Sequence, residues 1–267
     1  MKIAFLGCGN MASAVAEGIK RHYQSAKILT YTPSKTKAEA LAKKVDGQVY
    51  ESLQCVEEAD FTVIGCKPYQ FNELSASLKE FDLSKTCFVS IMAGVELNSI
   101  EKKLGTDRVI RLMPSMAMQN DEGISLIIGA EKATSSDISN LINMLKGSSF
   151  VYEAESEDQF DKLTVITASG PAFVYYLIQS FYHKLKDWGL DEAMAKKLST
   201  KVFSGATTAL SLSEDTIDDH ISKVTSKKGM TIEGLNSFSE NEVAQKISEG
   251  LEQAFKRSQE IKAEAKN

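Results

Sequence analysis

Along the first 150 residues, short apolar runs alternate with longer amphipathic stretches. The runs at 2–6, 28–31, 61–64, 87–91 and 109–112 are largely rich in β-branched residues or Phe, which predicts strands. Between the first two, Met11, Ala14, Val15, Gly18 and Ile19 share one face of a helix. Strands alternating with helices predict a parallel sheet joined by right-handed crossovers. Runs at 124–128 and 150–152 add edge strands around a helix near 135–145.

The pattern changes after about residue 155. The stretch 171–188 is apolar nearly all round in its first half, from Ala172 to Ile178, which predicts a helix buried on several sides. A second helix, over 198–212, is rich in small residues that allow close approach. A third pattern covers 232–238, and a last helix runs from about Glu240, with Ile247, Leu251, Ala254, Phe255 and Ile261 in one stripe. The expected division is an α/β domain over 1–155 and an all-helical domain over 156–267. The second is small for so much apolar helix surface, and dimerisation would bury it.

Composition narrows the function. With 43% hydrophobic and 25% charged residues the chain can bury a core. A net charge of −5 without a long basic run at either end argues against nucleic acid. Cys8, Cys55, Cys66 and Cys87 form no CxxC pair, and His22, His183 and His220 are isolated, so no metal site is expected. The apolar run 3–6 is too short for a signal-peptide core, and none reaches the ~18 residues of a membrane helix. A cytoplasmic protein with reduced thiols is the expectation. Proline is scarce, at four residues against a usual share of roughly 5%. That excludes Pro-rich architectures and directs attention to Pro33, Pro68, Pro114 and Pro171.

The first strand leads into Gly7-Cys8-Gly9-Asn10-Met11-Ala12, a GxGxxA fingerprint opening a helix. The first Gly permits a tight turn, the second lets backbone approach a pyrophosphate, and the small third residue lets helix and strand pack. The helix start offers free N–H groups to phosphates. A Rossmann-type dinucleotide-binding domain follows as the fold expectation. Where an NAD site usually has a carboxylate, this chain has Tyr31-Thr32-Pro33-Ser34-Lys35-Thr36-Lys37, with none before Glu39. Hydroxyls and lysines suit a 2′-phosphate and predict NADP(H) over NAD(H). The competing reading makes Ser34 a helix cap and leaves the lysines in solvent.

In nearly its whole length the chain resembles pyrroline-5-carboxylate reductases. The motifs, in order, are Gly7 to Ala12, Gly65-Cys66-Lys67-Pro68, Ser90-Ile91-Met92-Ala93-Gly94-Val95, Arg111-Leu112-Met113-Pro114-Ser115, Thr167-Ala168-Ser169-Gly170-Pro171-Ala172-Phe173 and Val224-Thr225-Ser226-Lys227-Lys228-Gly229-Met230-Thr231. The resemblance implies a Rossmann domain followed by a helical domain that interlocks with its twin in a homodimer, often assembled further. It implies NADPH-dependent reduction of 1-pyrroline-5-carboxylate to L-proline, with NADH as a possible substitute. Implied cofactor contacts are Leu6, Gly7, Gly9, Asn10, Met11, Ala12, Thr32, Ser34, Lys35, Ser52, Gly65, Cys66, Lys67, Pro68, Ile91, Met92, Ala93 and Lys223. Implied substrate contacts are Ser169, Gly170, Ser226, Gly229, Met230, Thr231 and Glu157.

The imine must gain hydride on carbon, from the nicotinamide, and a proton on nitrogen. By the resemblance Thr231 is the residue nearest to a proton relay, although it also suits a helix cap. Cys8 and Cys66 read as small fillers and not as nucleophiles. The substrate loop has Lys227-Lys228 where the family has Pro-Gly, and Lys lacks the φ freedom of Gly. That predicts an altered loop path or modest strain. The alternatives are a low-activity dinucleotide-binding paralogue with a sensing or structural role, and a related imine or β-hydroxyacid-type oxidoreductase.

Overall fold

A central strand of a parallel sheet is covered on both faces, so it carries apolar side chains on both. Strand β1 (Lys2–Leu6) does so: Ile3 and Phe5 enter one core while Ala4 and Leu6 enter the other. A computed structural model describes residues 1–264, and its strands are β1, β2 (Lys27–Tyr31), β3 (Gln48–Val49), β4 (Phe61–Ile64), β5 (Cys87–Ser90), β6 (Val109–Pro114), β7 (Gly123–Gly129) and β8 (Ser149–Glu153). They form one sheet in the order β3-β2-β1-β4-β5-β6-β7-β8. The pairings from β3 to β6 are parallel.

At its far end the sheet is no longer parallel throughout, and one of the two expected edge strands lies inside it. Strand β7 pairs antiparallel with β6 and lies inside the sheet, and β8 pairs parallel with β7 as the outer edge. The short connection from β6 to β7 returns the chain alongside itself without a crossover. Ser115 secures that return: its Oγ accepts the Ile124 N–H at 2.9 Å. Helices α1 (Asn10–His22), α2 (Thr36–Val45) and α6 (Ser135–Leu145) supply one core with Val15, Ile19, Leu41 and Met144. Helices α3 (Cys55–Glu58), α4 (Phe71–Leu78), α5 (Leu97–Leu104) and α7 (Glu157–Thr164) supply the other with Val56, Phe71, Ile100 and Phe160.

The remaining helices are α8 (Gly170–Asp187), α9 (Glu192–Ser211), α10 (Ile217–Lys223), α11 (Met230–Glu240) and α12 (Val243–Glu264). Helix α9 starts six residues before its expected start because Asp191 caps it, accepting the Met194 N–H at 2.9 Å. The last helix starts at Val243, after a left-handed Glu242 (φ 55°) that separates it from α11.

By their internal contacts the residues fall into two compact units. The first holds Met1–Ala168 and the end of α12 from Ala254; the second holds Ser169–Gln253. Residue 155 falls just before α7, whose Phe160 is fully buried with the sheet's second core, so contacts continue past it. In the second unit α8 and α9 pack through an edge-to-face pair, Phe181 on Phe203 with ring centroids 5.2 Å apart. Its interior is thin: Ala195 and Ser199 are its buried residues, whereas Tyr175, Tyr176 and Trp188 stand about 70% exposed. Helix α8 is therefore not buried on several sides within one chain, contrary to its apolar pattern.

Candidate dinucleotide site and substrate loop

Strand order reverses between β1 and β4, and ligands of open α/β sheets bind beyond the strand ends at such a point. A cleft of about 340 Å³ lies there. Leu6, Gly7, Cys8 and Gly9 line it after β1, Tyr31, Thr32, Pro33 and Ser34 after β2, and Gly65, Cys66 and Lys67 after β4. Gly7 has φ +100°, which L side chains rarely adopt. A Cβ on Gly9 would meet nothing within 4 Å, so backbone is open to a ligand there. Gly9 begins α1 with no side-chain cap. The first-turn N–H groups are thus not taken by a capping side chain.

Thr32 is the most telling residue. Its Oγ1 is buried and has no hydrogen-bond partner, although the residue lines the cleft. Buried polar atoms are nearly always paired, so an unpaired hydroxyl on a cleft-lining residue points to a partner that the chain itself does not supply. Lys37, from the first turn of α2, also lines the cleft, and no carboxylate stands at the end of β2. These groups fit a dinucleotide carrying a 2′-phosphate.

Lys35 does not line the cleft. It is left-handed, φ 51°, and its ammonium donates to Glu51 at 2.6 Å. That bond holds the Lys35 pKa above its ordinary value. Ser34 lines the cleft and supplies no side-chain cap to α2. Ser52 forms a separate turn, its Oγ accepting the Gln54 N–H at 3.3 Å. Pro68 starts a short 3₁₀ turn over Pro68–Gln70, and the Lys67 N–H donates to Gln70 Oε1 at 3.0 Å. Asn10, Met11 and Ala12 form the first turn of α1. Ile91, Met92 and Ala93 follow β5 outside the cleft lining, but Met92 Sδ lies 3.8 Å from Cys66 Sγ. Burial pushes the Cys8 and Cys66 thiols up to about 11, which suits fillers and not nucleophiles.

Sequence reasoning missed Leu53, Gln70, Glu73, Leu74 and Ser77, all at the cleft. The last four recur at helical spacing, so one face of α4 and the turn before it forms a wall.

Glu157 has other partners. One carboxylate oxygen accepts the Leu97 N–H at 2.8 Å, and the other pairs with the buried Arg111. Each carboxylate oxygen thus has a partner within the first unit.

In the second unit, Ser169 stands at the cap position of α8 without a side-chain capping bond, and Pro171 stands in the first turn. Lys223 ends α10 and pairs with Asp215. Residues 226–229 make a turn in which the Gly229 N–H donates to the Ser226 carbonyl at 3.1 Å. Gly229, not Thr231, occupies the cap position of α11. Thr231 lies in the first helical turn with its side chain exposed, beside a Met230 that is 93% exposed. Neither Lys227 nor Lys228 is left-handed, so the expected strain is not there.

Comparison with known proteins decides the family. Residues 157–261 match the family described as pyrroline-5-carboxylate reductase dimerisation. Residues 2–94 match the one described as NADP oxidoreductase coenzyme F420-dependent. A pyrroline-5-carboxylate reductase of Staphylococcus saprophyticus is 30% identical over 272 residues, covering 99% of each chain. The chain belongs to the pyrroline-5-carboxylate reductase family. A reductase of Staphylococcus haemolyticus is 29% identical over 98% of each chain. Among solved structures, the Coxiella burnetii pyrroline-5-carboxylate reductase superposes with a TM-score of 0.89 at 24% identity, covering 97% of each chain. The Plasmodium falciparum pyrroline carboxylate reductase, solved with NADP bound, gives 0.87 at 23% identity over 98% of each. At these identities the two structures support the fold, and the Staphylococcus saprophyticus relative carries the family.

Proposed function

We propose that the protein reduces 1-pyrroline-5-carboxylate to L-proline with NADPH. The observation that carries this is the unpaired hydroxyl of Thr32, which with Lys37 lines a glycine-lined cleft on a chain that aligns end to end with reductases of that name. The dinucleotide supplies hydride when bound. Gly7 and Gly9 bring backbone to its pyrophosphate, and the α1 N-terminus meets the negative charge. Thr32, Ser34 and Lys37 recognise the adenosine 2′-phosphate, and Gly65, Cys66 and Lys67 line the cleft after β4. Ile91, Met92 and Ala93 belong to the nicotinamide end. NADH is the weaker substitute.

Ser169, Gly170, Ser226, Gly229, Met230 and Thr231 form the substrate set. The N–H groups opening α11 receive the carboxylate, and the Thr231 hydroxyl holds the proton destined for the ring nitrogen. Lys227 and Lys228 add positive charge to the approach of an anionic substrate. We place the dimerisation and substrate domain at 156–267, working as a cytoplasmic homodimer or a larger homo-oligomer. The exposed Tyr175, Tyr176 and Trp188 supply the apolar surface for it. No helix among the described residues is long and apolar enough to cross a membrane.

The test is NADPH oxidation with pyrroline-5-carboxylate, with proline identified as product. Tight NADPH binding without turnover would favour a binding paralogue instead.

A further inference from the structure

The segment 91–96 is held from two sides. On one, Met92 Sδ lies 3.8 Å from Cys66 Sγ, and Cys66 lines the dinucleotide cleft. On the other, the segment meets the end of α12. Gly94 is left-handed, φ +74°, and a Cβ there would stand 3.1 Å from Ile261 Cγ2. The next residue, Lys262, donates to Glu96 at 2.7 Å and to Asp161 at 2.6 Å. Its side chain is only 16% exposed and that of Asp161 10%.

The contacts continue inward. Asp161 faces Arg111 of β6 at 3.4 Å, and Arg111 lies 4.3 Å above the Phe160 ring. Arg111 pairs with Glu157, which accepts the Leu97 N–H. Glu96 is thus held by Lys262, and the residue after it by Glu157. A cavity of about 70 Å³ opens among Ala93, Gly94, Arg111, Asp161 and Lys262. Around this cavity the close Gly94–Ile261 approach and the Lys262 ion pairs hold the segment to the end of α12. Burial pulls the Lys262 pKa down, but hydrogen bonds to Asp161 and Glu96 outweigh it and the ammonium stays charged.

We propose that Lys262 is a positioning residue for the cofactor: it pins the end of α12 to Asp161 and Glu96 and so fixes segment 91–96 at the nicotinamide end. The inference rests on the dinucleotide reading above. It assigns a role in the first unit's site to a residue of the chain's last helix. Lys262 does not itself line the cleft and acts through Gly94, Glu96 and Met92.

The test measures binding by fluorescence on Lys262→Met, Lys262→Arg and Ile261→Ala, alongside the unaltered protein. NADPH probes the whole site and 2′,5′-ADP its adenosine half alone. Lys262→Met is expected to raise the NADPH Kd about tenfold and to leave that for 2′,5′-ADP within about twofold. Lys262→Arg restores most of the loss. Ile261→Ala, which leaves every charge in place, raises the NADPH Kd about threefold. A merely stabilising lysine would lower the melting temperature without separating the two ligands. Unchanged NADPH affinity in Lys262→Met, or equal weakening of both ligands, overturns the proposal. If Lys262→Met does not fold, Glu96→Gln, which removes the charge that Lys262 meets on the segment, takes its place, and unchanged NADPH affinity there overturns the proposal. An unaltered protein that binds neither ligand would sink the dinucleotide reading itself, and this inference with it.

Discussion

Gly7 and Gly65 meet backbone to backbone: a Cβ on Gly7 would lie 2.7 Å from the Gly65 carbonyl carbon, and one on Gly65 would lie 2.6 Å from the Gly7 oxygen. The loops after β1 and β4 therefore touch at the switch point, and neither tolerates a side chain. Gly65→Ala must push the loops apart or tilt β4. Overpacking of this kind costs about 1–3 kcal/mol. The same shift moves the Gly7–Gly9 turn, so NADPH affinity should fall more than about tenfold. Thermal melts and NADPH titration of one preparation check both parts. A variant that melts and binds like the parent would show that the contact is slack.

Lys35 and Lys37 are two residues apart, yet they differ in what they face. Lys35 is bound to Glu51 and Lys37 lines the cleft. Lys37→Met should lower the NADPH over NADH preference in kcat/KM about tenfold, the value of one charge-assisted hydrogen bond. Lys35→Met should move it less than about twofold, since an exposed ion pair contributes little. Equal effects at the two positions would refute the assignment.

How much of this was legible in the sequence depends on the range of the interaction. Strands β1, β4, β5 and β6 were readable because burial on both faces leaves a continuous apolar run. Strand β3 has two residues and carries no period. The direction of β7 was not readable either, because alternation does not encode it. The glycine fingerprint announced the cleft, but which lysine faces it depends on the left-handed turn at Lys35. The Arg111–Glu157 and Lys262–Asp161 pairs join residues far apart in the chain, and only the fold brings them together. The apolar face of α8 was readable as buried. That one chain leaves it exposed required the structure.

Thr231 offers a separation of chemistry from stability. It sits in the first turn of α11 with an exposed side chain, and Gly229 holds the cap position. Removing the hydroxyl therefore costs the helix no capping bond. Thr231→Ala should lower kcat by about 10²-fold, as loss of a positioned proton donor does. The melting temperature should stay within about 2 °C of the parent, as for a surface substitution. Thr231→Ser should keep most of the rate. Full activity in the alanine variant would remove Thr231 from the mechanism.

The Arg108–Asp137 pair sets an acid limit on the first unit. Arg108 donates to both carboxylate oxygens of Asp137, at 2.9 and 2.6 Å, and Asp137 also accepts the Thr134 N–H and hydroxyl. Asp137 is buried, and the Arg108 hydrogen bonds foremost hold its carboxyl below the usual carboxylate range. A depressed folded pKa means that the stabilisation is complete above the unfolded value of about 4 and is lost as pH falls through the folded one. Arg108→Ala should cost about 2–3 kcal/mol at neutral pH, the value of charged hydrogen bonds to a buried group. The difference should shrink progressively below about pH 4, where Asp137 protonates first in the variant and then in the parent. Urea unfolding of both proteins at a series of pH values checks this. A difference that stays constant into acid would show that Arg108 contributes through packing rather than charge.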